Sequence, residues 1–597
     1  MPEAAGEVIF HNGRFTTLDR GLPRAEAVLV REGRFAAVGD AAEIERQAAA
    51  GARRIDLEAR AAIPGLHDSH THVIRGGLTY NLELRWDGVP SLADALRMLR
   101  EEVARTPPPQ WVRVVGGFTE HQFAEKRLPT LGELNAIAPD TPVFVLHLYD
   151  RALLNGAALR AVGYTKETPD LPGSEIQRDR AGNPTGLLLA KPNALLLYAT
   201  LAKGPRLSPD DQLNSTRLFM RELNRLGVTS VIDAGGGFQN YPEDYGVIQS
   251  LAVRGELTVR LAYNLFTQKP KQELGDFGRW SGMLAPLSGD AMLRHNGAGE
   301  MLVFSAADFE DFRQPRPELP QAMEAELERV VEHLAAKRWP FRLHATYDES
   351  ITRALDVYER VNRRVPFSGL HWIIDHGETI SERSIERIKA LGGGIAIQHR
   401  MAYQGEYFAE RYGPAAAEQT PPIRRILAAG IPVAAGTDAT RVASYNPWIS
   451  LHWLITGKTV GGLRLYPPQN RLTREEALRL WTENSAWFSN TDGRQGLIKP
   501  GHTADFVIPS CDFFAVPEDD IPSLTSDLTV LGGRIVHAAG AFKHLDPPMP
   551  PASPDWSPVR RYGGYRHRSV PLMRSTLRCN PSDADSFWSS SECACWI

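Results

Sequence analysis

The stretch Ile63-Pro64-Gly65-Leu66-His67-Asp68-Ser69-His70-Thr71-His72 decides the fold, because it places two histidines at the end of a predicted β-strand. Side chains at positions i and i+2 of a strand point to the same face. Two neutral imidazoles on one face can bind one metal ion at roughly 2.0–2.1 Å each. A His-x-His pair alone also occurs on surfaces and in packed cores, so the prediction of a metal site depends on the rest of the chain.

Three later apolar runs each end in a residue of a metal-ligand type. They are Phe341-Arg342-Leu343-His344, Trp372-Ile373-Ile374-Asp375-His376 and Val433-Ala434-Ala435-Gly436-Thr437-Asp438. Taken singly, each histidine is more simply a core residue and Asp438 a helix cap. Barrel enzymes, however, build their sites at the C-terminal ends of the strands. The repeated position therefore predicts one metal site that keeps an open position for water, with the ligands His70, His72, His344, His376 and Asp438.

Changes in hydrophobic period predict the domain organisation. Residues 1–62 and 497–546 contain short alternating runs with hairpin signals such as Asn12-Gly13 and Glu32-Gly33, which predict one small β-sandwich domain built from both chain ends. Residues 63–496 alternate strand-like and helix-like runs, as in a (β/α)8 TIM-like barrel of the α/β class. The part from about 73 to 300 is too long for three βα units, which indicates an inserted subdomain. Residues 547–597 read as a Pro-rich linker and a disordered tail, with the disorder expected beyond about Tyr565.

Further short motifs follow in order along the chain. They are Gly-Asn-Pro-Thr-Gly-Leu-Leu at 182–188, Leu-Gly-Val-Thr-Ser-Val-Ile-Asp-Ala-Gly at 226–235, His-Ala-x-x-Asp at 344–348, Asn-Pro-Trp at 446–448 and Pro-Gly-His-Thr-Ala-Asp-Phe at 500–506. With Pro-Gly-x-x-Asp-x-His-x-His at 64–72, this ordered set resembles the amidohydrolase superfamily of metal-dependent hydrolases. The resemblance is to its amidohydrolase 3 branch, which includes N-substituted formamide deformylase-like enzymes, and it covers roughly residues 6 to 546.

The resemblance implies a divalent metal, with zinc as the expected ion, and a catalytic role for Asp438 and His376. Asp438 would accept the proton of the attacking water and pass it to the leaving nitrogen. Many relatives carry a carbamylated lysine that bridges two metals, but residues 301–309 of this chain contain no lysine. The missing lysine predicts one tightly held ion, with a second ion weak or bridged by another group, so one or two ions remain open. Lys191 is a candidate bridging group, although an ordinary solvated or substrate-facing lysine is the simpler interpretation.

Three more polar residues are candidates for roles around the metal. Asp68 lies two residues before His70 on the same strand face, which suits a residue that orients a ligand; a strand-end turn residue is an equal alternative. Asp150 and Arg151 stand where the family usually has a Gly-His pair. Arg151 suits a substrate carboxylate, whereas a structural ion pair with Asp150 is the simpler interpretation.

The predicted function is hydrolysis of a non-peptide carbon–nitrogen bond in an amide, N-formyl compound or cyclic amide by metal-activated water. Deamination of a C=N substrate and a catalytically silent metal-binding protein are the alternatives. A net charge of −4 indicates a small-molecule substrate rather than nucleic acid or a membrane. The start of the chain shows no signal peptide and no apolar run reaches ~20 residues, so a cytoplasmic protein is expected, and a homo-oligomer remains open.

Overall fold

The structure is a computed structural model that describes residues 6–191, 193–309 and 311–565. In chain order its strands are β1 Val8–His11, β2 Arg14–Thr16, β3 Arg24–Ala25, β4 Ala27–Arg31, β5 Arg34–Gly39, β6 Arg53–Asp56, β7 Ala61–Pro64, β8 Leu66–Thr71, β9 Glu83–Leu84, β10 Val112–Val115, β11 Val143–His147, β12 Arg151–Leu154, β13 Ser174–Arg178, β14 Pro184–Ala190, β15 Val228–Asp233, β16 Arg260–Leu265, β17 Leu293–Ala298, β18 Phe341–Ala345, β19 Trp372–His376, β20 Gly394–Gln398, β21 Val433–Gly436, β22 Phe506–Pro509, β23 Ser526–Leu531 and β24 Arg534–Ala538.

The α-helices, again in chain order, are α1 Ala41–Gln47, α2 Val73–Thr79, α3 Leu92–Val103, α4 Leu131–Ile137, α5 Gly156–Val162, α6 Leu195–Leu201, α7 Pro209–Arg225, α8 Gly246–Val253, α9 Glu273–Met283, α10 Met323–Ala336, α11 Asp348–Arg364, α12 Glu382–Leu391, α13 Arg400–Tyr412, α14 Pro414–Ala417, α15 Ile423–Ala429, α16 Pro447–Thr456, α17 Arg474–Leu480, α18 Glu483–Phe488 and α19 Pro558–Tyr562. Short 3₁₀ turns lie at Tyr80–Leu82, Glu120–Gln122, Glu243–Tyr245, Phe304–Ala306, Pro468–Asn470, Glu518–Ser523 and Gly540–Leu545. No helix in these described ranges is both long and apolar enough to cross a membrane.

Eight parallel strands form a nearly closed barrel, as the sequence predicts. Their order is β21-β20-β19-β18-β17-β16-β15-β8. The two end strands meet where they leave the sheet, since Asp438 N–H donates to His70 O at 2.8 Å and His72 N–H donates to Ala439 O at 2.8 Å. The C-terminal ends of the strands therefore converge on one face of the barrel.

The two chain ends build two further sheets beside the barrel. A four-stranded sheet has the order β5-β4-β1-β6, and a six-stranded sheet has the order β24-β23-β22-β7-β2-β3. The Phe506 ring packs edge-on against Phe10 at 4.9 Å and Phe15 at 5.5 Å, so one apolar core joins both sheets. The Glu32-Gly33 hairpin is confirmed between β4 and β5. The prediction of a hairpin at Asn12-Gly13 is wrong, because β1 and β2 lie in different sheets. Strand β1 pairs with β4 and β6, whereas β2 pairs with β3 and β7.

Residues between the first and second barrel strands form an additional sheet, in the part of the chain where the sequence predicts an inserted subdomain. Its order is β13-β14-β12-β11-β10-β9. Helices α3 and α4 pack on this sheet through an apolar cluster that is separate from the barrel core. The sheet lies wholly between residues 83 and 190, so strands β15 to β17 follow with ordinary βα spacing.

The segment from 547 to 565 differs from the linker that its proline content predicts. Asn81 Nδ2 donates to Ser553 O at 2.8 Å, and Ser557 Oγ donates to Asn81 O at 2.7 Å. The N–H of Tyr565 donates to Glu222 at 2.8 Å. These partners lie more than 300 residues away in sequence, which is why composition does not reveal the packing. The predicted disordered tail falls at 566–597, outside the described residues.

Candidate metal centre

Local chain geometry brings the first and last barrel strands together at the site. Gly436 ends β21 against β8, where a Cβ would lie 2.6 Å from His70 N and 2.7 Å from an Asp68 oxygen, so this close approach requires glycine. The Asp68 carboxylate accepts from the N–H groups of His70 and Thr437, both at 3.0 Å, and from Thr437 Oγ1 at 2.6 Å. Asp68 thus ties the two strands to each other and does not reach the imidazole of His70.

Six buried side chains converge at this end of the barrel. They are His70, His72, Glu300, His344, His376 and Asp438, which supply three overlapping groups of three possible metal ligands. The structure thus brings together all five ligands that the sequence predicts. Glu300 is the sixth, and the sequence analysis did not identify it.

Glu300 lies between the histidines. Its Oε2 is 3.2 Å from His376 Nε2, 3.4 Å from His344 Nδ1 and 3.6 Å from His70 Nε2. Its Oε1 is 3.7 Å from His72 Nε2. One carboxylate therefore faces two pairs of histidines at the same time. His70 and His72 lie at the end of β8, and His344 and His376 lie on β18 and β19.

The spacing of these atoms fits a bound metal ion. His70 Nε2 is buried and makes no hydrogen bond to a described residue, although oxygens of Asp438 and Glu300 lie 3.4 Å and 3.6 Å away. Two ligands held at about 2.1 Å in a tetrahedral shell are roughly 3.4 Å apart. Nitrogen and carboxylate oxygen at this separation, all buried, are the donor set and spacing of a divalent metal site.

Side chains behind the ligands fix the orientation of the imidazoles. His70 Nδ1 lies 2.9 Å from an oxygen of Asp375, whose other oxygen accepts from Arg342 Nε at 2.6 Å. His376 Nδ1 lies 2.5 Å from Gln398 Oε1. A carboxylate or amide bonded to one ring nitrogen sets the tautomer and directs the other nitrogen toward the metal. Asp375 therefore has the orienting position for which Asp68 was a candidate.

The backbone is strained at two of the ligands. His376 has a φ of +82° and Asp438 a φ of +56°. Left-handed conformations are uncommon outside glycine and cluster at functional sites, where the surrounding structure holds them. His376 is the last residue of β19 and Asp438 lies two residues after β21, and both side chains belong to the cluster.

The cluster is electrostatically polarised by burial and by its own charges. Burial alone would lower the pKa of His70, but Asp375 and Glu300 raise it to about 10. Burial would raise the pKa of Glu300, yet the histidines around it hold that pKa well below the usual range. Both shifts arise because imidazoles and carboxylates face each other in this buried cluster, so each favours the charged form of the other.

Arg400 is a second residue that the sequence analysis missed. Its Nε and Nη2 donate to Asp438 Oδ2 at 3.1 Å and 2.6 Å, while Asp438 Oδ1 faces His72 Nε2 at 3.0 Å. Against the effect of burial, Arg400 and His70 hold the pKa of Asp438 well below its usual range. Asp438 is therefore an ionised carboxylate with one oxygen fixed by Arg400 and the other directed at the cluster.

A signal for both missed residues is present in the sequence. Glu300 lies two residues after β17 and Arg400 two residues after β20, the same position that Asp438 has after β21. The strand ahead of Glu300 reads Leu-Arg-His-Asn-Gly-Ala, which lacks the apolar run that marked the other strands.

Lys191, Asp150 and Arg151 do not join the six ligands. Lys191 lies at the end of the inserted sheet, pairs with Glu175 and has a side chain that is 47% exposed. The Asp150 carboxylate accepts from Arg151 Nε at 2.7 Å and from Arg313 Nη1 at 2.8 Å, and its other oxygen lies 2.6 Å from His147 Nδ1. The structure thus places Asp150 and Arg151 in a network of ion pairs.

Comparison with known proteins shows the family of the chain. A profile of the amidohydrolase family matches residues 53–537. The chain is 26% identical over 558 residues to an N-substituted formamide deformylase of Arthrobacter pascens, covering 90% of this chain and 98% of the relative. It is 25% identical over 545 residues to the putative amidohydrolase YtcJ of Bacillus subtilis, covering 89% of this chain and 99% of the relative.

The fold is similar to that of an uncharacterized metal-dependent hydrolase from Pyrococcus horikoshii. The TM-score is 0.63 at 19% identity, over 86% of this chain and 99% of the other. Since the family profile spans most of the chain, this chain belongs to the amidohydrolase family.

Proposed function

We propose that this chain hydrolyses a non-peptide carbon–nitrogen bond at a centre of two divalent metal ions, with Glu300 as the bridging ligand. The observation that carries the proposal is the position of Glu300 between the two groups of histidines. Its oxygens lie 3.2–3.7 Å from four ligand nitrogens. A carboxylate has two oxygens and a negative charge, which are the properties that a carbamylated lysine supplies in related enzymes.

We assign the six side chains to two sets that share Glu300. His70, His72 and Asp438 would form the first set with Glu300, and His344 and His376 the second, with His376 also close to His70 and Asp438. Imidazole nitrogen with carboxylate oxygen suits zinc. Ions bound there would polarise the scissile carbonyl and lower the pKa of water to about 7 in favourable cases. With Glu300 as the bridging ligand, Lys191 is not needed as a bridge. The absence of lysine from residues 301–309 is then no reason to expect a single tightly held ion.

Asp438 is positioned to move the proton. Its Oδ1 faces the cluster, where it can accept the proton of the attacking water and then donate it to the leaving nitrogen. Arg400 holds Oδ2 through two hydrogen bonds, so the carboxylate cannot rotate away from the cluster. His376 belongs to the second set of ligands, and the contact of its Nδ1 with Gln398 Oε1 fixes the orientation of its ring.

The proposed substrates are amides, N-formyl compounds and cyclic amides. Support comes from the relative named N-substituted formamide deformylase, which the chain matches over 98% of the relative's length. Deamination of a C=N substrate remains the alternative chemistry at the same site. A catalytically silent protein is disfavoured because the ligands and Asp438 are all present and buried together.

The test combines metal analysis with a substrate screen. Protein purified without chelator is assayed for metal by elemental analysis and for hydrolysis of N-substituted formamides, simple amides, cyclic amides and C=N compounds at saturating zinc. The proposal expects close to two equivalents of metal and turnover of at least one carbonyl substrate, with no turnover after chelation. Protein that takes up neither zinc nor manganese, or that releases ammonia only from C=N compounds, would refute it.

A further inference from the structure

Two arginines flank the metal centre at the C-terminal face of the barrel. Arg75 lies three residues after His72 in α2, and Arg441 lies three residues after Asp438. Their residues are 8% and 7% exposed. Both guanidinium groups lie over the ring of Tyr198, at 5.8 Å for Arg75 and 4.7 Å for Arg441. The two cations therefore meet at one buried aromatic ring.

Neither arginine has an acidic partner in the described part of the chain. No carboxylate there lies within 4.0 Å of either guanidinium. Arg75 Nη1 donates to Gly237 O at 3.3 Å, and its buried Nε has no partner among the described residues. Glu83, which acts on Arg441 from a greater distance, is already bonded to Arg85 and to Thr79.

This arrangement is unfavourable unless an anion joins it. Burial, followed by the charge of Arg75, lowers the pKa of Arg441 to about 10. Buried charges in proteins are normally paired or bound to a counter-ion, because an unpaired one loses its hydration without compensation. Other buried arginines here do have acids, as Arg342 has Asp375 and Arg260 has Asp505.

A row of aromatic rings connects these arginines to the metal ligands. From Tyr198 the ring of Tyr149 is 5.6 Å away, and Phe309 stacks on Tyr149 at 6.0 Å. Phe309 in turn lies 5.6 Å from the ring of His344. The row therefore offers a continuous apolar surface from the ligand His344 to the ring beneath Arg441.

We propose that Arg75 and Arg441 form an anion subsite that binds a carboxylate of the substrate while the scissile carbon–nitrogen bond lies at the metal centre. The inference rests on the proposed hydrolase function and specifies its substrate class. The substrate is an N-acyl or N-formyl compound with an aryl or other apolar body and a terminal carboxylate. Guanidinium groups bind carboxylates through paired, charge-assisted hydrogen bonds, and the aromatic row packs against the apolar body.

Direct binding tests the subsite without requiring turnover. Calorimetry on the zinc-loaded protein compares benzoate, 3-phenylpropanoate and 5-phenylpentanoate with their neutral carboxamides. Wild type should bind at least one carboxylate more tightly than its carboxamide. Arg441→Gln and Arg75→Gln should each weaken the binding of that carboxylate by about tenfold or more, which is the loss expected when a charged hydrogen-bond partner is removed. Arg441→Lys should recover part of the affinity.

The matched control is Arg294→Gln. Arg294 lies at the opposite end of the barrel, near the start of β17, and burial lowers its pKa as well. This variant should bind the carboxylates like wild type. The melting temperature of Arg441→Gln should not fall, because the substitution removes repulsion between buried cations. Equal affinity for carboxylate and carboxamide in wild type, or unchanged affinity in both glutamine variants, would overturn the subsite.

A kinetic arm separates failure of the subsite from failure of the proposed function. The formamides of 4-aminobenzoate and of 4-aminobenzamide, together with 6-formamidohexanoate and its carboxamide, are compared in kcat/KM. Arg441→Gln should lose at least about tenfold more on an anionic formamide than on its neutral partner. If Arg441→Gln loses the same factor in kcat/KM on the anionic formamide and on its neutral partner, the result argues against the subsite. Absence of turnover on every compound counts against the hydrolase function, while the calorimetry still decides whether the arginines bind a carboxylate.

Discussion

Replacing Glu300 by glutamine should remove the second metal ion. Glutamine keeps the size of the side chain and one carbonyl oxygen but loses the charge and the second anionic oxygen. In the structure both oxygens are in use, one toward His72 and the other toward His70, His344 and His376. A neutral amide cannot bridge two divalent ions with the same strength, so Glu300→Gln should hold about one ion or none.

The size of the effect follows from the role of the residue. Loss of a partner behind a metal ligand already weakens metal binding by about 10–100-fold. Glu300 is proposed as a ligand of both ions, so the weaker ion should lose at least about 100-fold in affinity. Metal-free Glu300→Gln should be less stable than metal-free wild type near neutral pH, because the histidines that hold the pKa of the Glu300 carboxyl well below its usual range favour the folded state of its ionised form.

The assay is a competitive chelator titration with zinc, combined with elemental analysis and thermal unfolding of the metal-free proteins. Glu102→Gln is the control, because Glu102 is also a buried carboxylate but lies on α3, outside the barrel. It should bind zinc like wild type. Two tightly bound equivalents in Glu300→Gln would refute the bridging role. Unchanged stability of the metal-free variant would instead show that the histidines do not stabilise the Glu300 carboxylate in the absence of metal.

Four more predictions concern single substitutions. Asp438→Asn should keep most of the metal and lose at least about 10²–10⁴ in kcat on a hydrolysable amide at saturating zinc, because the amide cannot accept the water proton; near wild-type turnover would exclude Asp438 as the proton carrier. His344→Ala and His376→Ala should weaken zinc binding in the chelator titration, with activity partly restored by added zinc. Lys191→Ala should leave the number of bound ions unchanged in elemental analysis, and the loss of one ion would return this lysine to the site. Burial raises the pKa of Glu102 from 4.5 to about 7, so between these pH values the native state binds a proton that the unfolded state has released. The stability of the wild type therefore falls as pH rises through this window. Urea unfolding should show that Glu102→Gln is more stable than wild type at pH 8 and little different from it at pH 4.

Much of the barrel can be predicted from local sequence. The run Trp372–His376 forms β19 with the predicted bounds, because its apolar residues suit a strand buried on both faces and the polar residues come at its end. The helix-like sequence pattern from Arg474 to Phe488 predicts one helix, but the structure has two, since α17 ends at Leu480 and α18 begins at Glu483. At this break Trp481 O accepts a hydrogen bond from His67 N–H at 2.7 Å. That contact spans more than 400 residues, so no local pattern contains it.

The ligand set was also predictable to the extent that it lies on regular strands. His344 and His376 each end an apolar run with a clear strand pattern, and His70 forms a His-x-His pair with His72. Glu300 follows His295-Asn296-Gly297-Ala298-Gly299, in which polar residues and glycine hide the strand. Here His295 packs on Trp339 at 4.3 Å, and Asn296 Nδ2 donates to Phe488 O at 3.0 Å. Tertiary partners make this polar strand stable, and they are visible only in the fold.

The pairing of buried charges gives the strongest argument that the site holds a metal. Asp375 is compensated by Arg342 and Asp438 by Arg400, each through close hydrogen bonds. Glu300 is the third buried carboxylate of the group, and its neighbours within 4.0 Å in the described chain are histidines. An ionised carboxylate in such a place requires a cation, because burial without one costs several kcal/mol. The cation is either a proton held by the histidines or a metal ion held by histidines and carboxylates together. A metal ion would also use the buried His70 Nε2, which makes no hydrogen bond to a described residue although oxygens of Asp438 and Glu300 lie 3.4 Å and 3.6 Å away.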